Sequence, residues 1–271
     1  MKTIKLNDNN DIPALGFGTW QLSGQTCIDS VETALETGYR QIDTAEMYEN
    51  QKEIGQAIKK SGLNRQEIFI TSKVWFTNLS YKEVIKACDK TIQELQTDYV
   101  DLYLIHWPNP EIPLKETLQA MKELKDKGQI KSIGVSNFTI NHLKEALETG
   151  IKISNNQVEF HPSLNQKELK KFCDQNQIIL TAYSPIAQGQ DLDLKQIQEI
   201  SDKYNRSASQ IILNWLISKN IVAIPRSQNP YHIKDNFKTL EFDLEKDDIE
   251  KIDSLNQNNR LINPSFADFN N

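Results

Sequence analysis

Short apolar runs alternate along the chain with longer stretches in which apolar side chains recur every three or four residues. The runs lie near residues 15–17, 41–42, 68–71, 100–105, 130–135, 156–158, 178–182 and 221–224. Strand-length runs repeated eight times, with helical periods between them and no Pro/Gly/Ser linker, predict an α/β chain. The architecture they specify is a closed (β/α)8 TIM barrel, one domain over residues 1–271. The alternative is a doubly wound open sheet, which requires a glycine-rich phosphate turn after its first strand. Ahead of the first run, Asn7-Asp8-Asn9-Asn10 reads as the turn of an N-terminal β-hairpin.

Helix starts are marked by capping residues. Ser80-Tyr-Lys-Glu83 has the spacing of a capping box with Leu79 and Val84 as its staple, and Asn165 to Glu168 and Ser207 to Gln210 repeat the logic. The acidic stretch from Asp243 to Leu255 places Leu244, Ile249, Ile252 and Leu255 on one face. It reads as an extra outer helix with a solvated Asp/Glu run.

Composition narrows the function. Lys and Arg number 31 against 37 Asp and Glu in 271 residues, a net charge of -6, so there is no basic footprint for nucleic acid or anionic lipid. The apolar runs are too short to cross a membrane and the first residues lack a signal-peptide core, which predicts a cytoplasmic protein, and nothing demands more than a monomer. Three cysteines, Cys27, Cys88 and Cys173, fall on apolar helical stripes and read as reduced core thiols. Trp215 reads as core, and His142 and His161 as structural. Gly16-Phe-Gly18 is only G-x-G, with Trp20 and Gln21 where a third glycine would fall, so the dinucleotide fingerprint of an open sheet fails. No Walker A, H-E-x-x-H or G-x-S-x-G motif occurs, and no metal site is expected.

In a barrel, chemistry collects where strands end. Here polar side chains follow the apolar runs: Asp43, Lys73, His106, Ser136 with Asn137, Gln157 with Glu159, and Tyr183 with Ser184. Singly, each has a structural explanation: a cap, a rim ammonium, a core histidine. Around one rim, however, Asp43, Lys73 and His106 face a common cavity, with Tyr48 five residues beyond Asp43 on the same loop. Tyrosine has a pKa of about 10, which a nearby ammonium is expected to bring down. Lys73 needs Asp43 as counter-ion, and His106 can hold a substrate oxygen in line with the Tyr48 hydroxyl. Trp20, Trp75 and Trp107 follow the first, third and fourth strands and are expected to wall a substrate site.

These residues resemble the aldo-keto reductase superfamily over nearly the whole chain. The resemblance is carried by Ile12 to Trp20, by Gly38 to Asn50 with Asp43 and Tyr48, and by Asp98 to Pro108 with His106. Gly134 to Phe138, and Ile224-Pro225-Arg226-Ser227 with Asn236, complete it. It implies NADPH-dependent reduction of aldehydes and ketones, with Tyr48 as general acid, Lys73 and Asp43 tuning it and His106 orienting the carbonyl. It also implies that Ser136, Asn137 and Gln157 meet the nicotinamide carboxamide, that Tyr183 stacks on its ring, and that Trp20 and Asp43 border the cofactor. Ser184, Pro185, Ile186 and Gln188 then follow the pyrophosphate, Ile224, Pro225, Arg226 and Ser227 reach the adenosine 2'-phosphate, and Asp235 and Asn236 flank the adenine. Where NADPH-preferring members carry an arginine, this chain has His232, which leaves NADH possible. The short loop after Pro185 and brief tail are similar to compact bacterial members such as diketogluconate and methylglyoxal reductases, implying small carbonyl substrates. Two other readings remain: a nucleotide-sensing binding protein of low turnover, and an aldolase using Lys73 as a Schiff-base nucleophile, against which Asp43 pairing argues.

Overall fold

The structure is a computed structural model that describes residues 2–269. Strands β1 (Thr3–Lys5) and β2 (Asp11–Pro13) pair antiparallel around the 7–10 turn, with Ile4 opposite Ile12. Eight parallel strands follow: β3 (Phe17–Gly18), β4 (Gln41–Asp43), β5 (Phe69–Val74), β6 (Val100–Ile105), β7 (Ile130–Ser136), β8 (Asn155–Glu159), β9 (Ile179–Tyr183) and β10 (Val222–Ala223). Each falls on one of the apolar runs. The sheet closes on itself where Leu15 bridges Ala223, with the Gly16 amide donating to Ala223 O at 2.9 Å and the Ala223 amide to Ala14 O at 3.0 Å.

The hairpin lies across the bottom of the barrel. Asn10 Nδ2 donates to Ser132 Oγ at 2.9 Å and Asn7 Nδ2 to Ile153 O at 2.8 Å, while Leu6 is buried. The opposite rim, where the strands end, is left to the polar side chains.

Outside run α1 (Gly24–Thr37), α2 (Gln51–Ser61), α3 (Tyr81–Leu95), α4 (Leu114–Asp126), α5 (Ile140–Glu148), α6 (Lys167–Gln175), α7 (Lys195–Tyr204), α8 (Ala208–Ser218), α9 (Pro230–Phe237) and α10 (Lys246–Asp253). Their inward stripes hold Cys27, Cys88 and Cys173 as free, buried thiols, and burial pushes each up to about 12. α8 is apolar nearly all round and buries Ile211 to Leu213 and Trp215 to Ile217, as a helix enclosed on several sides must. Gly38 ends α1 in the left-handed region at φ 119°, and a Cβ there would lie 2.7 Å from the Phe237 ring.

The caps depart from expectation. α3 starts at Ser80, but that side chain makes no cap bond; Glu116 of α4 accepts from the Tyr81 amide instead, at 2.9 Å. The chain enters α6 one residue late, at Gln166, because Asn165 Nδ2 is drawn to Asp253 O at 2.8 Å. Ser207 does cap α8, yet Gln210 reaches Asp235 rather than closing the box. Reciprocal boxes form at Asn64 with Glu67 and at Thr139 with His142, which gives His142 a structural place. The acidic run of α10 is not wholly solvated either. Asp248 is buried, accepting from Lys203 at 2.6 Å, Tyr204 at 2.9 Å and Lys251 at 3.0 Å.

Candidate active site

The strand-end residues meet. β4 and β5 pair with Asp43 beside Thr71, which turns Asp43 and Lys73 into the barrel at its open rim. Lys73 has no solvent exposure. Its Nζ donates to Asp43 Oδ1 at 2.5 Å and Thr44 O at 2.8 Å, and stands 3.3 Å from the Tyr48 hydroxyl. Tyr48 arrives on a one-turn 3-10 helix, Glu46–Tyr48, directly after β4. On the far side, Gln157 Nε2 donates to the other Asp43 oxygen at 2.6 Å. With three oxygens around it, the Lys73 ammonium has no free lone pair, which argues against the Schiff-base reading.

Burial drives Asp43 up and Lys73 down from their ordinary values, each opposed by the other's charge. Tyr48 reverses the sequence expectation: burial, and then Asp43, hold its phenol well above 10. The reason is geometric, since the ammonium meant to lower it already belongs to Asp43. The phenol therefore rests protonated. His106 is pushed well below 6.5 by burial and by the Lys73 charge, so the imidazole is neutral. Its ring stands edge-on to Tyr48 with centroids 5.6 Å apart, and its buried Nδ1 has no partner among the described residues.

Beside this group the rim is lined with amides and hydroxyls. Ser136 Oγ donates to Gln157 O at 2.8 Å, Asn137 Nδ2 to His106 O at 3.0 Å, and the Tyr183 hydroxyl to Asn137 Oδ1 at 2.8 Å. Past Tyr183 the chain turns sharply, with Ser184, Ala187, Gln188 and Gly189 all at positive φ while Pro185 is buried and Ile186 half-buried. Across from it β3 presses against the 224–226 segment, where a Cβ on Gly18 would lie 2.9 Å from Ile224 O. Pro225 is buried, Arg226 exposed, and Ser227 Oγ accepts from the Asn229 amide at 3.0 Å. His232 is exposed, edge-on to Tyr231 at 5.8 Å. Asp235 and Asn236 turn to α8, accepting from Ser207 Oγ, Gln210 Nε2 and Ser209 Oγ.

The mouth is aromatic. Trp20, 41% exposed, stands 6.4 Å from Tyr48, and Trp75 stands 5.2 Å from His106. Trp107 is buried beneath Phe266 at 5.4 Å and Phe269 at 5.7 Å.

The description of the Aldo/keto reductase family matches residues 14–257. The chain belongs to this family. It is 43% identical to the glyoxal reductase of Bacillus subtilis over 261 residues, covering 96% of this chain and 94% of that one. It is 42% identical to the methylglyoxal reductase DkgA of Escherichia coli, covering 95% and 94%. MGS-M4, an aldo-keto reductase enzyme from a Medee basin deep-sea metagenome library, superposes with a TM-score of 0.94 at 38% identity, covering 96% and 97%. The protein is thus an NAD(P)H-dependent oxidoreductase on a (β/α)8 barrel.

The rim of this aldo-keto reductase suits such a cofactor: a flat phenol face, hydroxyl and amide groups for a primary carboxamide, and an exposed guanidinium. Sequence reasoning missed two features of the mouth. Phe266, in the tail, stacks on Phe76 at 4.5 Å and meets Trp75 at 5.9 Å; its only signal was an aromatic in a polar tail. Glu46, inside the Asp43–Tyr48 loop, accepts from the Trp75 amide at 2.9 Å and from Asn78 Nδ2 at 2.8 Å, tying the Trp75 loop to the Tyr48 turn.

Proposed function

We propose that the protein reduces small aldehydes and ketones to alcohols with NADPH, working as a monomeric cytoplasmic enzyme whose residues 1–271 form one domain. What carries the reading is the arrangement around Lys73 Nζ, which joins Asp43 at 2.5 Å to the Tyr48 hydroxyl at 3.3 Å beside a neutral His106. The relatives named for glyoxal and methylglyoxal support an α-oxoaldehyde as the substrate class.

Ser136, Asn137 and Gln157 would hold the nicotinamide amide, Tyr183 its ring, and the Ser184, Pro185, Ile186 and Gln188 turn the pyrophosphate. Ile224, Pro225, Arg226 and Ser227 would hold the 2'-phosphate end, with Asp235 and Asn236 by the adenine and Trp20 and Asp43 at the nicotinamide border. When bound, the cofactor supplies a hydride to the carbonyl carbon. The neutral His106 donates a hydrogen bond to the carbonyl oxygen and aligns it with the Tyr48 phenol. Tyr48 then passes its proton to the developing alkoxide, and the Lys73 ammonium stabilises the phenolate left behind. Trp20, Trp75 and Trp107 exclude water from the reacting oxygen. Arg226 alone faces the 2'-phosphate as a permanent cation, so NADPH is preferred and NADH tolerated.

The test is NADPH oxidation on adding methylglyoxal, in the wild type and in Tyr48→Phe. Turnover that vanishes in the variant with NADPH affinity intact supports the assignment. Binding with no turnover in the wild type marks a nucleotide-sensing protein, and borohydride trapping of substrate on Lys73 marks an aldolase.

A further inference from the structure

A second buried polar cluster lies just beyond β8, and the reduction chemistry does not use it. Glu159 and His161 have no exposure and Asp191 has 2%. The His161 ring is held between two carboxylates, Nε2 to Glu159 Oε1 at 2.9 Å and Nδ1 to Asp191 Oδ2 at 3.1 Å. Ser163 Oγ also stands 3.0 Å from Nδ1, with its own hydrogen donated to Asp191 Oδ1 at 2.7 Å, so both ring nitrogens face acceptors, both carry hydrogen and the ring is an imidazolium. Burial alone would depress it, yet the flanking carboxylates outweigh that and hold it above its ordinary value.

Three separate stretches of chain meet on this ring. Glu159 accepts the amides of Leu261 and Ile262 at 2.8 and 2.9 Å. Asp191 accepts the Ser163 hydroxyl at 2.7 Å and amide at 2.9 Å, and Ser163 O accepts the amides of Gln257 and Asn259 at 3.0 and 3.1 Å. Asp191 closes the turn after β9, whose left-handed residues Ser184, Ala187 and Gln188 are costly for side chains with a Cβ and persist only when anchored. Leu261 and Ile262 lead to Phe266, which stacks on Phe76 and meets Trp75 and Trp107 beside His106.

We propose that His161 is a positioning residue that couples the 184–193 turn, where the cofactor's phosphates lie, to the C-terminal segment that walls the carbonyl site. Fixing the turn around the dinucleotide fixes Asp191; Asp191 holds the imidazolium; the imidazolium holds Glu159, and Glu159 holds Leu261, Ile262 and the Phe266 wall. The coupling rests on the cofactor assignment above. Any stiffening of the turn by the cofactor thus reaches the substrate wall through the hydrogen bonds of one ring.

Hydrogen–deuterium exchange on the whole protein, with and without NADPH, tests it without requiring turnover. In the wild type NADPH slows exchange in 184–193 and, by about tenfold or more, in 257–269. In His161→Gln the turn is still protected but the tail's response shrinks to within about twofold of none, and the carbonyl KM rises more than kcat falls. A protected turn with an indifferent wild-type tail overturns the coupling and leaves the cofactor assignment standing. Protection of neither overturns the cofactor assignment and the coupling with it. A tail response that survives in both His161→Gln and Asp191→Asn overturns the role of His161. The wild-type comparison needs no variant, so poor folding of a variant does not shield the proposal.

Discussion

Replacing Lys73 with methionine removes the ammonium between Asp43 and Tyr48 while keeping most of its aliphatic bulk. As Tyr48 gives up its proton, negative charge grows on an oxygen 3.3 Å from Lys73 Nζ. At an effective dielectric of about 20, that attraction is worth up to about 5 kcal/mol. Asp43 works against it: Oδ1 lies 2.5 Å from the same nitrogen, hence within about 5.8 Å of the phenol oxygen, and repels by at least about 3 kcal/mol on the same footing. The intact pair therefore contributes at most about 2 kcal/mol, or up to about 30-fold in rate. Removing the ammonium alone costs the larger figure, up to several thousandfold, wherever Asp43 stays ionised.

Two consequences can be measured. Lys73→Met/Asp43→Asn, which deletes both charges, should be faster than Lys73→Met and settle within about 30-fold of wild type. Without Lys73, burial lifts the Asp43 pKa with only Gln157 opposing, so the single variant should lose rate as pH rises through that value while the double variant does not. Single-turnover stopped-flow measurement of NADPH consumption by excess methylglyoxal, from acid to alkaline pH, reads both. A double variant no faster than the single one at any pH would refute the electrostatic account of Lys73.

Four further outcomes are expected. Tyr48→Phe should lower turnover by about 10²–10⁴ with NADPH affinity unchanged by fluorescence titration, and a matching loss of affinity would assign the ring to binding instead. His232→Arg should tighten NADPH more than NADH, and equal effects in the two titrations would place residue 232 away from the 2'-phosphate. Gly134→Ala puts a Cβ 2.5 Å from Leu104 Cδ2 and 2.8 Å from Asn155 O, so it should cost about 1–3 kcal/mol in urea unfolding, and an unshifted midpoint would contradict the packing. For Asp248, burial is outweighed by bonds from Lys203, Lys251 and Tyr204 and the carboxyl is held at about 2, below its unfolded value. Its stability is present above an unfolded pKa of about 3.9 and lost as pH falls through about 2, so Asp248→Asn should cost about 1 kcal/mol at pH 7 after screening and only a small fraction of that at pH 2.

The barrel was legible because parallel strands buried on both faces must be apolar, and the eight runs mark them. The meeting of Asp43, Lys73 and His106 at the rim was legible for a related reason: they are charged or polar residues abutting runs that otherwise exclude such groups. What escaped notice depends on partners far away in the chain. The amide at the start of α3 goes to Glu116 and not to Ser80, since a carboxylate from a neighbouring helix is the better acceptor. Asp248 is buried because Lys203 and Tyr204, more than forty residues earlier, come to meet it. The protonation of Tyr48 likewise follows from three-dimensional placement, in a dry site whose cation is already matched by Asp43. His161, standing before Pro162, read as structural; Glu159 and Ser163 are its partners nearby in sequence, and Asp191, thirty residues on, completes the cluster.

The three cysteines carry a consequence for a catalyst of reactive carbonyl compounds. Such compounds alkylate and condense with nucleophiles, and a thiol attacks only as its thiolate. Cys27, Cys88 and Cys173 are enclosed by the outer helices and pushed up to about 12, so at neutral pH essentially none is in the attacking form. The buried amine of Lys73 is kept as an ammonium by Asp43 and Thr44 O. An electrophile that enters the mouth therefore meets neither a thiolate nor a free amine, the two side-chain nucleophiles that such compounds attack most readily.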